Sequence, residues 1–153
     1  MANNLKLVSS TNVQLFQSSD LNSLTNGSYK FGSGSGVASN VYDNTGNLWP
    51  EADILISLGS ITPAGSPYVL IAVLWSVDGS NFGDPQSAGA PNAGTDLYTV
   101  GADTGASAKL LPIPRIVMRP YKCKFMFGNQ TGVTLASSGN SITLTPAGYN
   151  LNG

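Results

Sequence analysis

Histidine is absent from the 153-residue chain, cysteine occurs once, at Cys123, and only 10% of residues are charged. Without histidine there is no Ser-His-Asp or Cys-His arrangement, and the side chain that most often moves protons near neutral pH is missing. A lone cysteine excludes an internal disulfide, and with no histidine beside it there is no ligand set for zinc or an iron-sulfur cluster. Long apolar runs are also missing. The longest, YVLIAVLW from Tyr68 to Trp75, is too short to cross a bilayer as a helix. The opening MANNLKLVSS has neither a basic stretch leading into an apolar core nor a small-residue cleavage site. No secretion signal and no membrane partner are expected, and folding in a cytoplasm is.

What the chain does contain is punctuation. Its 18 glycines and 9 prolines, with many Ser, Thr and Asn, leave no helical window of useful length between breakers. The segments between them read as short strands. In ADILISLGSI, Ile54, Ile56 and Leu58 alternate with Asp53, Leu55 and Ser57, as a half-buried antiparallel strand requires. PYVLIAVLWSV is apolar on both faces and bounded by Pro67 and by Asp78-Gly79, which suits a central strand covered on both sides. Near the end, Tyr121, Cys123, Phe125 and Phe127 alternate with Lys122, Lys124 and Met126, predicting one core face and one cationic face. Cys123 then reads as a small buried hydrophobe. About eight strands at short spacing predict an all-β, antiparallel, jelly-roll-like β-sandwich with one long loop. At this length a single domain, 1–153, buries roughly 70% of the surface its unfolded form exposes.

Two segments stand outside that pattern. Residues 78–112 read as one long insertion of Gly, Ala, Ser, Asp and Pro with a strand-like island, TDLYTV, and so long a loop is expected to order against another subunit. Its first residues, DGSNFGD, offer oxygen donors for calcium at Asp78, Ser80, Asn81 and Asp84 but lack the ligand order of an EF-hand loop. Asp-Gly there predicts a tight turn instead. The run GSGSG, Gly32 to Gly36, lacks the Lys-Ser/Thr of a phosphate loop and reads as a flexible connector. The carboxylates Asp53, Asp78, Asp84, Asp96 and Asp103 show no spacing that predicts a hydrolytic pair. No catalytic residue, cofactor or metal is expected.

Charge is distributed unevenly along the chain. All eight acids lie between Asp20 and Asp103, whereas Lys109, Arg115, Arg119, Lys122 and Lys124 occupy one short stretch. Such polarity suits docking onto an opposite charge or self-association, although in a chain with so few charges any cluster stands out. Five cations with their aromatics on the opposite face are too few for nucleic-acid recognition, so no nucleic-acid partner is expected. The contact candidates are therefore Phe82 and Tyr98 in the long loop, with Lys109, Arg115, Arg119, Lys122 and Lys124.

The order of features resembles a known class. LWPEADILISLGSITPAGSPYVLIAVLWSVDGSNFGDP, a small-residue loop, and KFMFGNQTGVTLASSGNSITL together resemble the jelly-roll capsid decoration, or cement, proteins of tailed bacteriophages, over roughly residues 40–150. The first 40 residues match less clearly, which leaves open an N-terminal arm over 1–40. The resemblance implies a non-enzymatic virion protein on the outer surface of an icosahedral head, often a trimer, which binds the major capsid protein and clamps capsomers together. The alternative is a tail, fibre or head-surface adhesin with a glycan-binding sandwich, in which Trp49, Trp75, Tyr42 and Tyr68 would stack on sugar rings from an exposed face. A hydrolase acting through two carboxylates is the third and least supported reading.

Overall fold

The computed structural model describes residues 4–37, 40–85, 87–92 and 95–152, with backbone only at 4–7 and 150–152. Ten strands and one helical turn follow each other as β1 (Asn4–Ser9), β2 (Val13–Phe16), α1 (Ser18–Leu21), β3 (Tyr29–Phe31), β4 (Tyr42–Asp43), β5 (Glu51–Ile61), β6 (Tyr68–Ser76), β7 (Asp96–Gly101), β8 (Ser107–Val117), β9 (Lys122–Gln130) and β10 (Ser141–Asn152). They form two antiparallel sheets, and the expected all-β sandwich is present.

In the first sheet the order is β1-β10-β5-β8, with β2 also on β10. In the second it is β3-β9-β6-β7, with β4 also on β9. Each sheet thus has one edge made of two short strands in succession. Counting each such edge as one strand, the orders become first-eighth-third-sixth and second-seventh-fourth-fifth, which is the winding of a jelly roll. The N-terminal segment therefore belongs to the sandwich: its described residues supply an edge to each sheet and do not form a separate arm.

The alternation expected for β5 holds: Ala52, Ile54, Ile56 and Leu58 are buried while Asp53 and Leu55 are exposed. Both faces of β6 are covered, by different material. Val69, Ile71 and Val73 enter the main core with Phe16, Ile54, Ile56, Phe125 and Phe127. Leu70, Ala72 and Leu74 face outward and are covered by Met126 and Phe82, flanked by Tyr29, Phe31 and Val41. The cationic face expected on β9 is thus partly apolar, because Met126 closes this outer cluster. Cys123 is fully buried, and burial pushes its thiol far above the ordinary range.

The long loop is shorter than the sequence predicts, since residues 107–112 are the first half of β8. Pro112 and Pro114 act as breakers only inside a ladder. On an edge strand a proline is accommodated where its nitrogen faces away from the neighbour, and Pro112 lies opposite Leu55 on β5, the only strand paired with β8 among the described residues. A bulge follows, where Arg115 adopts φ 53° and its N–H, lost to the ladder, is accepted by Asp53 Oδ1 at 2.8 Å.

The GSGSG run is not a flexible connector. Gly34 N donates to Leu15 O and Gly36 N to Gln14 O, so the segment runs along β2. A Cβ on Gly32, Gly34 or Gly36 would come within 2.3, 2.2 and 2.0 Å of β2 atoms. The alternate serines turn away: Ser33 binds the Asp20 carboxylate through both N–H and hydroxyl, and Ser35 donates to Gln14.

Candidate interaction surface

The antiparallel register places three connections at one end of the sandwich: 44–50, the described residues of 77–95, and 118–121. Glu51 pairs with Val117 and Ala147, Ser76 with Lys122, and Asp43 with Lys122. Asn44 ties this end together, donating to Trp49 O and Arg119 O and accepting from Trp49 N. Five of the large exposed apolar side chains lie here: Leu48, Val77, Val117, Tyr121 and Tyr149. Leu48 is 59% exposed and held in the left-handed region at φ 52°, and Val77 is 81% exposed. Val77 and Tyr121 line one cleft with Thr45 and Lys122, and the Asn44 N–H donates to Tyr121 O, so Val77 and Tyr121 adjoin across two of these connections.

The cationic stretch does not form a patch of free charge. Arg115 makes two bonds of 3.0 Å to Glu51 and a third to Tyr149 Oη. Arg119 Nη2 bonds both oxygens of Asp96, and its guanidinium lies 5.6 Å from the Trp75 ring centroid. Lys122 is 3.8 Å from Asp43. Lys124 stands over Phe31 and Phe82. Lys109 is buried at the opposite end, where its ammonium binds Asp103, Ser107 and Gly105 O, so it offers nothing to a partner. The sequence polarity vanishes in space because the antiparallel fold lays acids of the first two thirds beside bases of the last third.

Of the two aromatic candidates, Phe82 is the lid of the outer cluster on β6 and is 9% exposed. Tyr98 packs half-buried on the main core and its hydroxyl accepts from Val117 N, 3.3 Å away, joining the edges of the two sheets. Burial raises its phenol above the ordinary range. The structure therefore brings Phe82 to Lys124 and Tyr98 close to the Asp96–Arg119 pair, and leaves Lys109 and Arg115 elsewhere.

The four aromatics needed for sugar stacking do not share one face. Tyr42 is buried, its phenol pushed up to about 12 by burial and then by Cys123 and Asp43. Trp75 packs on the core and donates its Nε1–H to Asp96 at 2.6 Å. Trp49 is half-buried against Gly148, and Tyr68 lies at the far end, opposite Gly101 and Gln130.

DGSNFGD is a turn. Asp78 accepts from Ser76, Ser80 N, Asn81 N and the Asn81 side chain, and Gly79 takes φ 74°. Among the described residues no three His, Cys, Asp or Glu side chains gather as a metal site, and no buried side-chain polar atom lacks a partner. No helix among them is long and apolar enough to cross a membrane. Sequence reasoning missed the exposed Leu48, Val77, Val117 and Tyr149, because nothing local marks an apolar residue as unburied. It also missed the Trp75–Asp96–Arg119 cluster, whose members are up to 44 positions apart.

No family model, curated protein or solved structure matches the chain.

Proposed function

We propose that the chain is a non-enzymatic virion structural protein, a capsid decoration or cement protein that sits on the outer surface of an icosahedral phage head and stabilises contacts between capsomers. The observation that supports it best is the gathering of exposed Leu48, Val77, Val117, Tyr121 and Tyr149 at one end of the jelly roll. An apolar end at which Arg115, Arg119 and Lys122 each already face a carboxylate within the chain suits seating on another protein, because docking it desolvates few unpaired cations. Over a shell, many such modest contacts add to a firm hold.

Self-association is supported by the outer face of the first sheet, and a trimer is the state that the resemblance to decoration proteins implies. Leu110 is 68% exposed and Leu55 44%, with Pro112 and Pro114 exposed beside them. Both prolines lack an N–H, so the free edge of β8 is poor at adding a strand and the face is the better contact. The purified chain should run as a discrete oligomer in light scattering and rebind heads stripped of it. Leu48→Asp with Val77→Asp should weaken rebinding at least about tenfold without unfolding the protein. A monomer with no affinity for heads overturns the proposal.

A further inference from the structure

Beside β6, where β7 ends, lies an open cavity of about 420 Å³ lined by Val73, Leu74, Trp75, Gly83, Asp84, Asn92, Thr95 and Arg119. Its position follows from the register. The last β6–β7 pair is Val73 with Asp96, so Leu74 and Trp75 run on with no strand at their β7 side, and the gap is flanked by Gly83, Asp84, Asn92 and Thr95. Gly83 N closes one side by donating to Trp75 O at 3.3 Å, and the Thr95 hydroxyl links the other by donating to Asp84 O. The volume lies in the range of small-ligand sites.

The polar groups around it decide what it would take. Asp84 and Asn92 make no side-chain hydrogen bond among the described residues, and Arg119 uses only Nη2 on Asp96, leaving Nε and Nη1. The wall thus offers a carboxylate acceptor, an amide that both donates and accepts, a hydroxyl, and guanidinium donors. An anion is disfavoured, because the charge of Arg119 is already met by Asp96 and Asp84 stands at the same wall. A metal ion is disfavoured too, since Asp96 is held by Arg119 and Trp75 Nε1 and no third ligand gathers with it. A ligand that is neutral and carries many alternating donors and acceptors satisfies every group, and the partly buried Trp75 gives an apolar edge that suits the C–H face of a sugar ring, while the buried Val73 and Leu74 contribute only the strand margin.

We propose that this cavity binds a neutral saccharide, a hexose or N-acetylhexosamine unit, through Asp84, Asn92, Thr95 and Arg119. The site lies at the same end of the sandwich as the apolar side chains assigned to the capsid, but none of Leu48, Val77, Val117, Tyr121 and Tyr149 lines it. It also differs from a stack of exposed aromatics, since Trp75 serves as wall and its indole N–H is already spent.

The test uses the full chain labelled with ¹⁵N and a panel of methyl glycosides of neutral hexoses and N-acetylhexosamines. The two tryptophans give two indole N–H signals, assigned by Trp75→Phe. At least one glycoside should move the Trp75 signal saturably, with a dissociation constant of ~1 mM or tighter, and leave that of Trp49 in place. Asn92→Ala and Asp84→Asn should each weaken binding about tenfold while the rest of the spectrum stays native. No saturable shift at about 50 mM of any panel member, well above that dissociation constant, overturns the site. So do shifts that survive both substitutions. Head rebinding by the same protein reports on the decoration role alone, so failure of one proposal is distinguishable from failure of the other.

Discussion

The Lys124 ammonium stands 4.5 Å from the centroid of the Phe82 ring and 5.8 Å from that of Phe31, fastening the loop after β6 to the outer face of its own sheet. The loop thereby hides Leu70, Ala72 and Leu74, which an uncovered sheet would expose.

Phe82 should consequently matter for stability although it lies in a loop. Phe82→Ala opens the outer cluster and should cost about 3 kcal/mol, whereas Lys124→Gln removes only the cation–π contact and should cost about 1 kcal/mol. Urea denaturation read by tryptophan fluorescence distinguishes the two. A midpoint unchanged by Phe82→Ala would show that the loop does not cover β6 in solution.

Asp78 should shape the acid limb of stability. Its carboxyl lies well below the usual range because the N–H groups of Asn81 and Ser80 donate to it, followed by the side chains of Asn81 and Ser76. A depressed folded-state pKa stabilises in full above the unfolded value of about 3.9 and is lost as pH falls through the folded value. Hydrogen bonds to Thr45 depress Asp43 in the same way, and those to Lys109 and Gly105 depress Asp103. Asp78→Ala should therefore lower Tm near pH 7 and lose less on going from about pH 5 to about pH 2 than the parent chain. Parallel curves would exclude this role.

These two residues also mark where the sequence was legible. Periodicity carried β5, β6 and β9, because an alternating or doubly apolar run has few alternatives once Pro and Asp-Gly bound it. The Asp78 turn was legible because its chemistry is local. Three features were not. Residues 107–112 contain Pro112 and small residues, which read as loop unless the strand is known to be an edge. The period-two glycines of GSGSG read as slack, because their cause is the strand β2, 17–23 positions away. The basic stretch looked like a docking patch, because pairing of Arg115 with Glu51 and Arg119 with Asp96 depends on register between distant strands.

The glycine run yields a sharp contrast within three residues. Gly34→Ala puts a methyl group 2.2 Å from Gln14 O, a backbone atom in a strand that cannot easily retreat. It should cost about 3 kcal/mol. Ser35→Ala, on an exposed side chain with one bond of 3.3 Å to Gln14, should stay within about 0.5 kcal/mol. Thermal melts of the two variants suffice, and equal melting temperatures would restore the view of this run as a loose connector.

Lys109 sits at an inward position of β8 with its side chain 1% exposed, while its partner Asp103, 2.8 Å away, is 70% exposed. The burden of burial is therefore unequal. The ammonium has left water, and Asp103 and Gly105 of the connection between β7 and β8, with Ser107 at the start of β8, replace its hydration. Truncating the two partners should not have equal effects. Lys109→Met removes the buried charge and keeps the stem that packs in the core, so it should fall within about 1 kcal/mol of the parent. Asp103→Asn keeps an acceptor for the Gly105 N–H but strands the ammonium without a counter-charge, so it should destabilise more than Lys109→Met. The double variant should then recover most of that loss. A double-mutant cycle in urea measures this directly, and additive effects would mean that the ammonium gains nothing from the carboxylate. The expected non-additivity makes Lys109 a structural residue of the loop it holds, which is why its charge, prominent in the sequence, contributes no binding surface.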